Sequence, residues 1–241
     1  MLYNDRIEFT KNDIDLYLKE VAKEYKKKSG RNIHAEIILV GGASVLINYG
    51  FRQMTTDVDA MYEAASSMRD AINSVGDKYD LPNGWLNTDF INTNSYTPEL
   101  RKFATYYKTF YQVVDVYTIT AEYLIAMKLR SGRLYKNDLS DVLGILTEHK
   151  KAGNEISLDQ IQRSTINLYG SWQSISEQSR EFIESMLKDD KYCDQYEEIR
   201  KQEIEKKDAL LIFEGNYPKA VNNSNVDEIL KMLIDKMPDR K

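Results

Sequence analysis

The chain has 241 residues, 42% of them hydrophobic and 29% charged, with 4 prolines and a formal net charge of −5. That is enough apolar material for a buried core and too little disorder-promoting composition for an unfolded chain. Mild acidity gives none of the overall basic field that nucleic-acid binders present, which leaves room only for a local basic patch. The single cysteine, Cys193, excludes an internal disulfide and suits a reducing cytoplasm.

The opening residues, Met1 to Arg6, lack the apolar run of a signal peptide. No stretch reaches the ~20 apolar residues of a membrane span. With only His34 and His149, a histidine-based zinc site is not expected.

Thr10 followed by Asp13 predicts an N-cap, and Ile14, Leu16, Leu18, Val21 and Ala22 form a broken apolar stripe on a lysine-rich helix that Gly30 stops. Residues 36–40 form a β-branched run read as a buried strand that ends at Gly41-Gly42. Residues 43–49 read as a short helix. Residues 57–62 alternate polar and apolar, as a half-buried strand does, and 64–79 read as helix. A loop with Pro82, Gly84 and Pro98 leads to strands at 103–107 and 111–117, with a hairpin turn around Lys108-Thr109. After Thr120 nearly everything is helical: 121–131, 137–149, 158–168, 177–187, 192–211 and 226–237. The charged run 189–207 reads as a solvated face.

The chemistry concentrates between residues 40 and 60. Residues two apart on a strand share a face, so Asp57 and Asp59 project side by side. Two such carboxylates repel unless a cation lies between them. Magnesium takes oxygen ligands, commonly one or two carboxylates plus substrate phosphates. Gly41 and Gly42, at a strand end opening a helix, let backbone N–H groups approach a phosphate, with the Ser44 hydroxyl nearby. Either feature alone is ordinary: a Gly-Gly pair is usually a turn, and an Asp-x-Asp is usually a solvated face. Their order and close spacing make the combination specific.

Leu39-Val40-Gly41-Gly42-Ala43-Ser44, then Phe51-Arg52, then Thr55-Thr56-Asp57-Val58-Asp59 resemble the first motif of the polymerase-β-type nucleotidyltransferase superfamily. Within it the likeness is to the AbiEii-like branch, which includes toxins of toxin–antitoxin systems, and to its uncharacterised relatives. Val114-Asp115-Val116 resembles the strand carrying that superfamily's third carboxylate. Lys128 lies in a stretch resembling the branch's lysine helix, followed by Gly132-Arg133 and an acidic helix in which Asp138 and Asp141 compete for one motif position. The likeness covers residues 34–147 in order and nothing from 150 onward. One departure stands out: the serine usual directly after the first glycine is here Gly42.

The resemblance implies an α/β (α+β) fold, with a mixed sheet flanked by helices in a catalytic domain over 1–119. An all-helical C-terminal domain over 120–241 would begin with Lys128 and Asp138/Asp141. It implies transfer of NMP from an NTP to an acceptor hydroxyl with release of pyrophosphate, supported by Mg²⁺ or Mn²⁺. Metal and catalysis would fall to Asp57, Asp59 and Asp115; nucleotide binding would fall to Gly41, Gly42, Ser44, Arg52, Thr55, Lys128 and Asp141. Arg52 would either hold phosphate or brace the Asp-x-Asp strand. A one-residue slip of register would turn Asp115 away. The acceptor stays open between tRNA, a protein and a small molecule, and the setting would be a cytoplasmic toxin or phage-defence component. The alternative is a nucleotide- or partner-binding module of a toxin–antitoxin pair, without catalysis of its own. Tyr106, Tyr107, Tyr111 and Tyr117 offer rings for base stacking but read first as sheet packing. His34, His149 and Cys193 call for no functional reading.

Overall fold

The computed structural model describes residues 8–63, 65–222 and 225–235. Helix α1, Lys11–Ser29, starts at a capping box in which Thr10 and Asp13 satisfy each other's backbone N–H groups, and it ends at Gly30 with φ +88°. Strand β1, Ala35–Leu39, runs into α2, Gly41–Asn48. Strand β2, Val58–Tyr62, precedes α3, Ser66–Tyr79. The expected loop holds a two-residue strand β3, Leu86–Asn87, and two 3-10 turns.

Strands β4, Ala104–Phe110, and β5, Val114–Ile119, form the hairpin. Its turn lies three residues beyond the expected Lys108-Thr109, at Tyr111 and Gln112, with φ of +50° and +61°. A hairpin turn with two left-handed residues in a row usually signals itself by Asn or Gly. Tyr-Gln gives no such signal, so Lys108 and Thr109 belong to β4.

The sheet order is β3-β2-β1-β5-β4, with β1 antiparallel to β2, parallel to β5, and β4 antiparallel to β5. Alternation along the strands splits the apolar residues between two faces. Ile37, Leu39, Val58, Ala60, Val114 and Val116 pack beneath α1 and α3, against Ile14, Leu18, Val21, Ile72 and Val75. Ile38, Met61 and Ile119 pack on the opposite face against helices α4, Ala121–Ser131, and α5, Asp138–Lys151. Helices α6, Leu158–Tyr169, and α7, Glu177–Lys188, extend the same cluster through Ile161 and Ile183. The mixed sheet with flanking helices is therefore as expected, and one continuous core crosses residues 119–120.

Helix α8, Tyr192–Asn216, lies along α5, and α9, Val226–Asp235, closes the C-terminal side. Leu210, Val226 and Leu230 form a small separate core there with Leu134 and Tyr135. The run read as a solvated face carries two exceptions, Tyr192, which joins the main core, and Glu203, which is 2% exposed. No described helix is long and apolar enough to cross a membrane.

Candidate active site

Asp57 and Asp59 lie at the sheet end where β1 meets α2. Val40 N–H donates to the Asp59 carbonyl at 3.0 Å, which fixes β2 against the strand leading into the glycines. Asp59 shares its face with Met61 and Ile38, toward α4 and α5. Burial and, next, the Asp57 charge push its carboxyl up to about 6. Lys136, Arg133 and Lys128 pull in the other direction without overcoming this.

Gly41 has φ +54°, and an added Cβ would stand 3.5 Å from the Asp59 carboxylate. No described side chain caps the first turn of α2, so its N–H groups stay available to an anion. Both glycines, both aspartates, Arg52, Lys128, Arg133 and Lys136 line one cleft of about 420 Å³.

The cationic wall is held by buried carboxylates. Lys128 Nζ lies 2.9 Å from Asp138 and 2.8 Å from Asp141. Arg133 Nε reaches Asp138 at 2.9 Å, and Arg52 pairs with Asp141. Burial alone would discharge these groups. Instead Lys128 and Arg133 hold Asp138 well below the usual carboxylate range, and the two aspartates hold Lys128 above the ordinary lysine value. Four cations (Arg52, Lys128, Arg133, Lys136) against two aspartates leave a positive surplus opposite the Asp57–Asp59 pair. That polarity, cation wall against carboxylate pair, suits a polyphosphate chelated to a divalent ion.

A family model described as "Nucleotidyltransferase of unknown function (DUF6036)" matches residues 16–182. The chain belongs to this nucleotidyltransferase family. No curated protein and no solved structure matches it.

In this nucleotidyltransferase the expected site residues separate into three groups. Gly41, Gly42, Arg52, Asp57, Asp59 and Lys128 come together around the cleft. Thr55 and Asp141 stand behind it: Thr55 Oγ1 donates to the Asp57 carbonyl at 3.1 Å, and Asp141 holds Arg52 and Lys128. Both rival acids are used, since Asp138 also lines the cleft and grips Lys128 and Arg133.

Ser44 and Asp115 fall elsewhere. Ser44 is fully buried, and its hydroxyl accepts from the Ile119 N–H at 3.0 Å, which staples α2 to β5 rather than facing a phosphate. Asp115 has the right face but the wrong height. It pairs in register with Glu36 and Thr109, and the Thr109 hydroxyl donates to its carboxylate. Asp59 lies level with Val40, four residues further along β1, on the order of 13 Å at the usual strand rise. The register Ile38–Tyr117 puts Ile119 beside Val40, so an isoleucine occupies the position where a third carboxylate would be needed. Among the described residues no group of three or more His, Cys, Asp or Glu is placed to hold a metal.

Arg52 ties the loop before Asp57 to α5 through Asp141. Phe51 packs on α5 where Gly144 leaves room, since an added Cβ there would sit 2.5 Å from the ring. Seated this way, the loop delivers Arg52 to Asp141, one turn before Gly144. The Gly42 departure has a related cause. A Cβ at Gly42 would lie 2.9 Å from both the Arg52 guanidinium and Thr55 Oγ1. Gly42→Ala should cost about 1–3 kcal/mol by overpacking and weaken NTP binding by displacing Arg52. Thermal denaturation and nucleotide titration check both effects.

Three contributors lay outside the sequence reading of the site. Lys136 lines the cleft, and its ammonium is pushed below the usual lysine range by desolvation and by Arg133. The cation run Lys128, Arg130, Arg133, Lys136 was the available signal. Asn87 comes from β3, level with Asp59. Glu203 of α8 caps α5 across space, accepting from the N–H groups of Leu139 at 2.8 Å and Ser140 at 3.3 Å. No local pattern links residues 203 and 139.

Burial pushes Glu203 up to about 7, against the capping bonds that lower it. A carboxyl raised above its unfolded value lends stability at low pH that is lost as pH climbs from the unfolded value to the folded one. Between about pH 4.5 and 7 this group should cost on the order of 3 kcal/mol. Glu203→Gln should flatten that part of the stability–pH curve in denaturant titrations.

Proposed function

We propose that this chain is a divalent-metal-dependent nucleotidyltransferase that moves NMP from an NTP to an acceptor hydroxyl and releases pyrophosphate. The observation that carries this reading is the Asp57–Asp59 pair facing Lys128, Arg133 and Lys136 across one cleft that opens at the N-terminus of α2. The donor set fits magnesium bound together with nucleotide. Two carboxylates supply the protein ligands, and the Asp59 carboxyl is raised by burial first and by the neighbouring Asp57 charge second, both of which a dication would offset. Bound there, the ion would polarise the phosphoryl oxygens and offset charge on the leaving pyrophosphate.

The chain's own groups account for the rest. The free N–H groups of α2 and the glycines receive phosphate oxygens. Lys128 and Arg133, locked by Asp138, present fixed positive charge to the triphosphate, so little reorganisation is needed as charge shifts to the leaving group. Arg52 keeps the Asp57 loop docked on α5.

The test is incubation with each α-labelled NTP and Mg²⁺, with a heat-treated cell extract as the source of acceptors, following label transfer and pyrophosphate release together. Transfer matched by pyrophosphate supports the reading. Release of inorganic phosphate alone, or no turnover with any nucleotide, contradicts it. The resemblance to toxin-type relatives supports a growth-arresting role. Induced expression of wild type against Asp57→Asn would show it as arrest that the variant lacks.

A further inference from the structure

A second cleft, of about 520 Å³, adjoins the first. The two share Arg52, Asp57, Lys136 and Asn137 as lining residues, so they meet beside Asp57. Their chemistry differs. The first is walled by glycines, carboxylates and cations. The second has a largely apolar far wall formed by Leu210, Leu211 and Val226 from α8 and α9, with Pro82 also among the lining residues. Its charges away from the junction are one lysine and one glutamate, Lys207 and Glu214, which gives no net charge to hold a polyphosphate.

We propose that this second cleft is the acceptor site, and that it takes a small hydroxyl-bearing molecule with an apolar body. This rests on the function proposed above. Transfer needs two substrates brought to one point, and Asp57 is where the two clefts join. The volume lies in the range of small-ligand sites, which are mostly apolar with a few placed polar groups. An RNA end would require several lysines or arginines directed at successive phosphates. Here Arg52 is already engaged by Asp141, leaving Lys136 and Lys207.

The far wall also lies outside residues 16–182, where the family match stops. The shared part of the chain thus supplies the nucleotide side, and the C-terminal helices supply what distinguishes this acceptor. In the step itself the acceptor oxygen bonds to the α-phosphorus while the bond to the β-phosphate bridging oxygen breaks. Pyrophosphate leaves with that electron pair, and the hydroxyl proton is released to solvent.

The experiment supplies α-labelled NTP and Mg²⁺ to the full chain with three separate probes: the dialysable fraction of a cell extract, its protein fraction, and total tRNA. Label is expected in the dialysable fraction. Leu211→Arg should lower that transfer about tenfold or more while the NTP dissociation constant, from equilibrium dialysis, stays at the wild-type value. Lys207→Glu, at a half-buried surface position, serves as a second variant should Leu211→Arg fold poorly. Label in tRNA or protein would overturn the inference, as would wild-type transfer by both variants. Weakened NTP binding in the variants would overturn it too, by making this cleft the nucleoside's. Failure of the wild type to bind any NTP would instead overturn the proposed function, and this inference with it.

Discussion

Replacing both Asp57 and Asp59 by asparagine should lower nucleotidyl transfer by on the order of 10³-fold or more, while the protein becomes more stable. The two effects have one cause. Asp59 is pushed up to about 6 by burial and by the Asp57 charge. Its raised value means that stability present at low pH is lost as pH rises through about 4 to 6. Above pH 6 and without a cation, Asp59→Asn should therefore gain roughly 1–3 kcal/mol, the full shift being discounted for partial exposure. Asparagine keeps the shape and loses the charge that grips the ion. Opposed changes in activity and stability are what a site kept for function rather than folding produces. Thermal melts at pH 8 with and without Mg²⁺ and NTP, beside the labelled transfer assay, measure both. A double variant that is less stable and still active would remove the pair from the site.

Asp138→Ala should be the most destabilising single change in the cleft wall. It strips the fully buried partner from Lys128 and Arg133. Breaking a buried ion pair from one side typically costs about 3–5 kcal/mol, because the remaining charges stay desolvated. The double change Lys128→Met with Asp138→Leu should recover part of that loss but none of the transfer, since the phosphate-facing charge is gone. The same network predicts acid lability with the opposite sign to Asp59. Asp138 is held far below the usual carboxylate range, so its contribution is complete above the unfolded value and is lost only as pH falls through the folded one. Denaturant titrations of wild type and Asp138→Ala at several acidic pH values separate the two; a wild-type midpoint unaffected by Asp138→Ala would contradict the network's role.

Much of the site was legible because its parts are local. Gly41-Gly42 after a β-branched run, and Asp57 and Asp59 two apart on a strand, need only strand alternation to be placed together. Lys128 and the acidic first turn of α5 lie close in sequence, so their meeting across one interhelical turn could also be expected. Asp115 shows the limit: face follows from alternation, but height along the sheet follows from register, which depends on where the hairpin turns. That turn sits at Tyr111–Gln112, in a left-handed conformation that the residues do not announce. Ser44 illustrates a different gap, since a hydroxyl one turn into a helix serves a phosphate or a neighbouring strand equally well until the packing is known. Glu203 and the second cleft depend on α8 reaching back to α5 and the Asp57 loop, contacts between residues more than 60 positions apart.

Titrating Mn²⁺ into the protein with NTP, and following free Mn²⁺ by electron paramagnetic resonance, tests whether Asp57 and Asp59 together hold a divalent ion with the nucleotide. Wild type should deplete free Mn²⁺ beyond what NTP alone does, and the Asp57→Asn, Asp59→Asn double variant should not. Equal depletion by both proteins would take the ion away from this carboxylate pair.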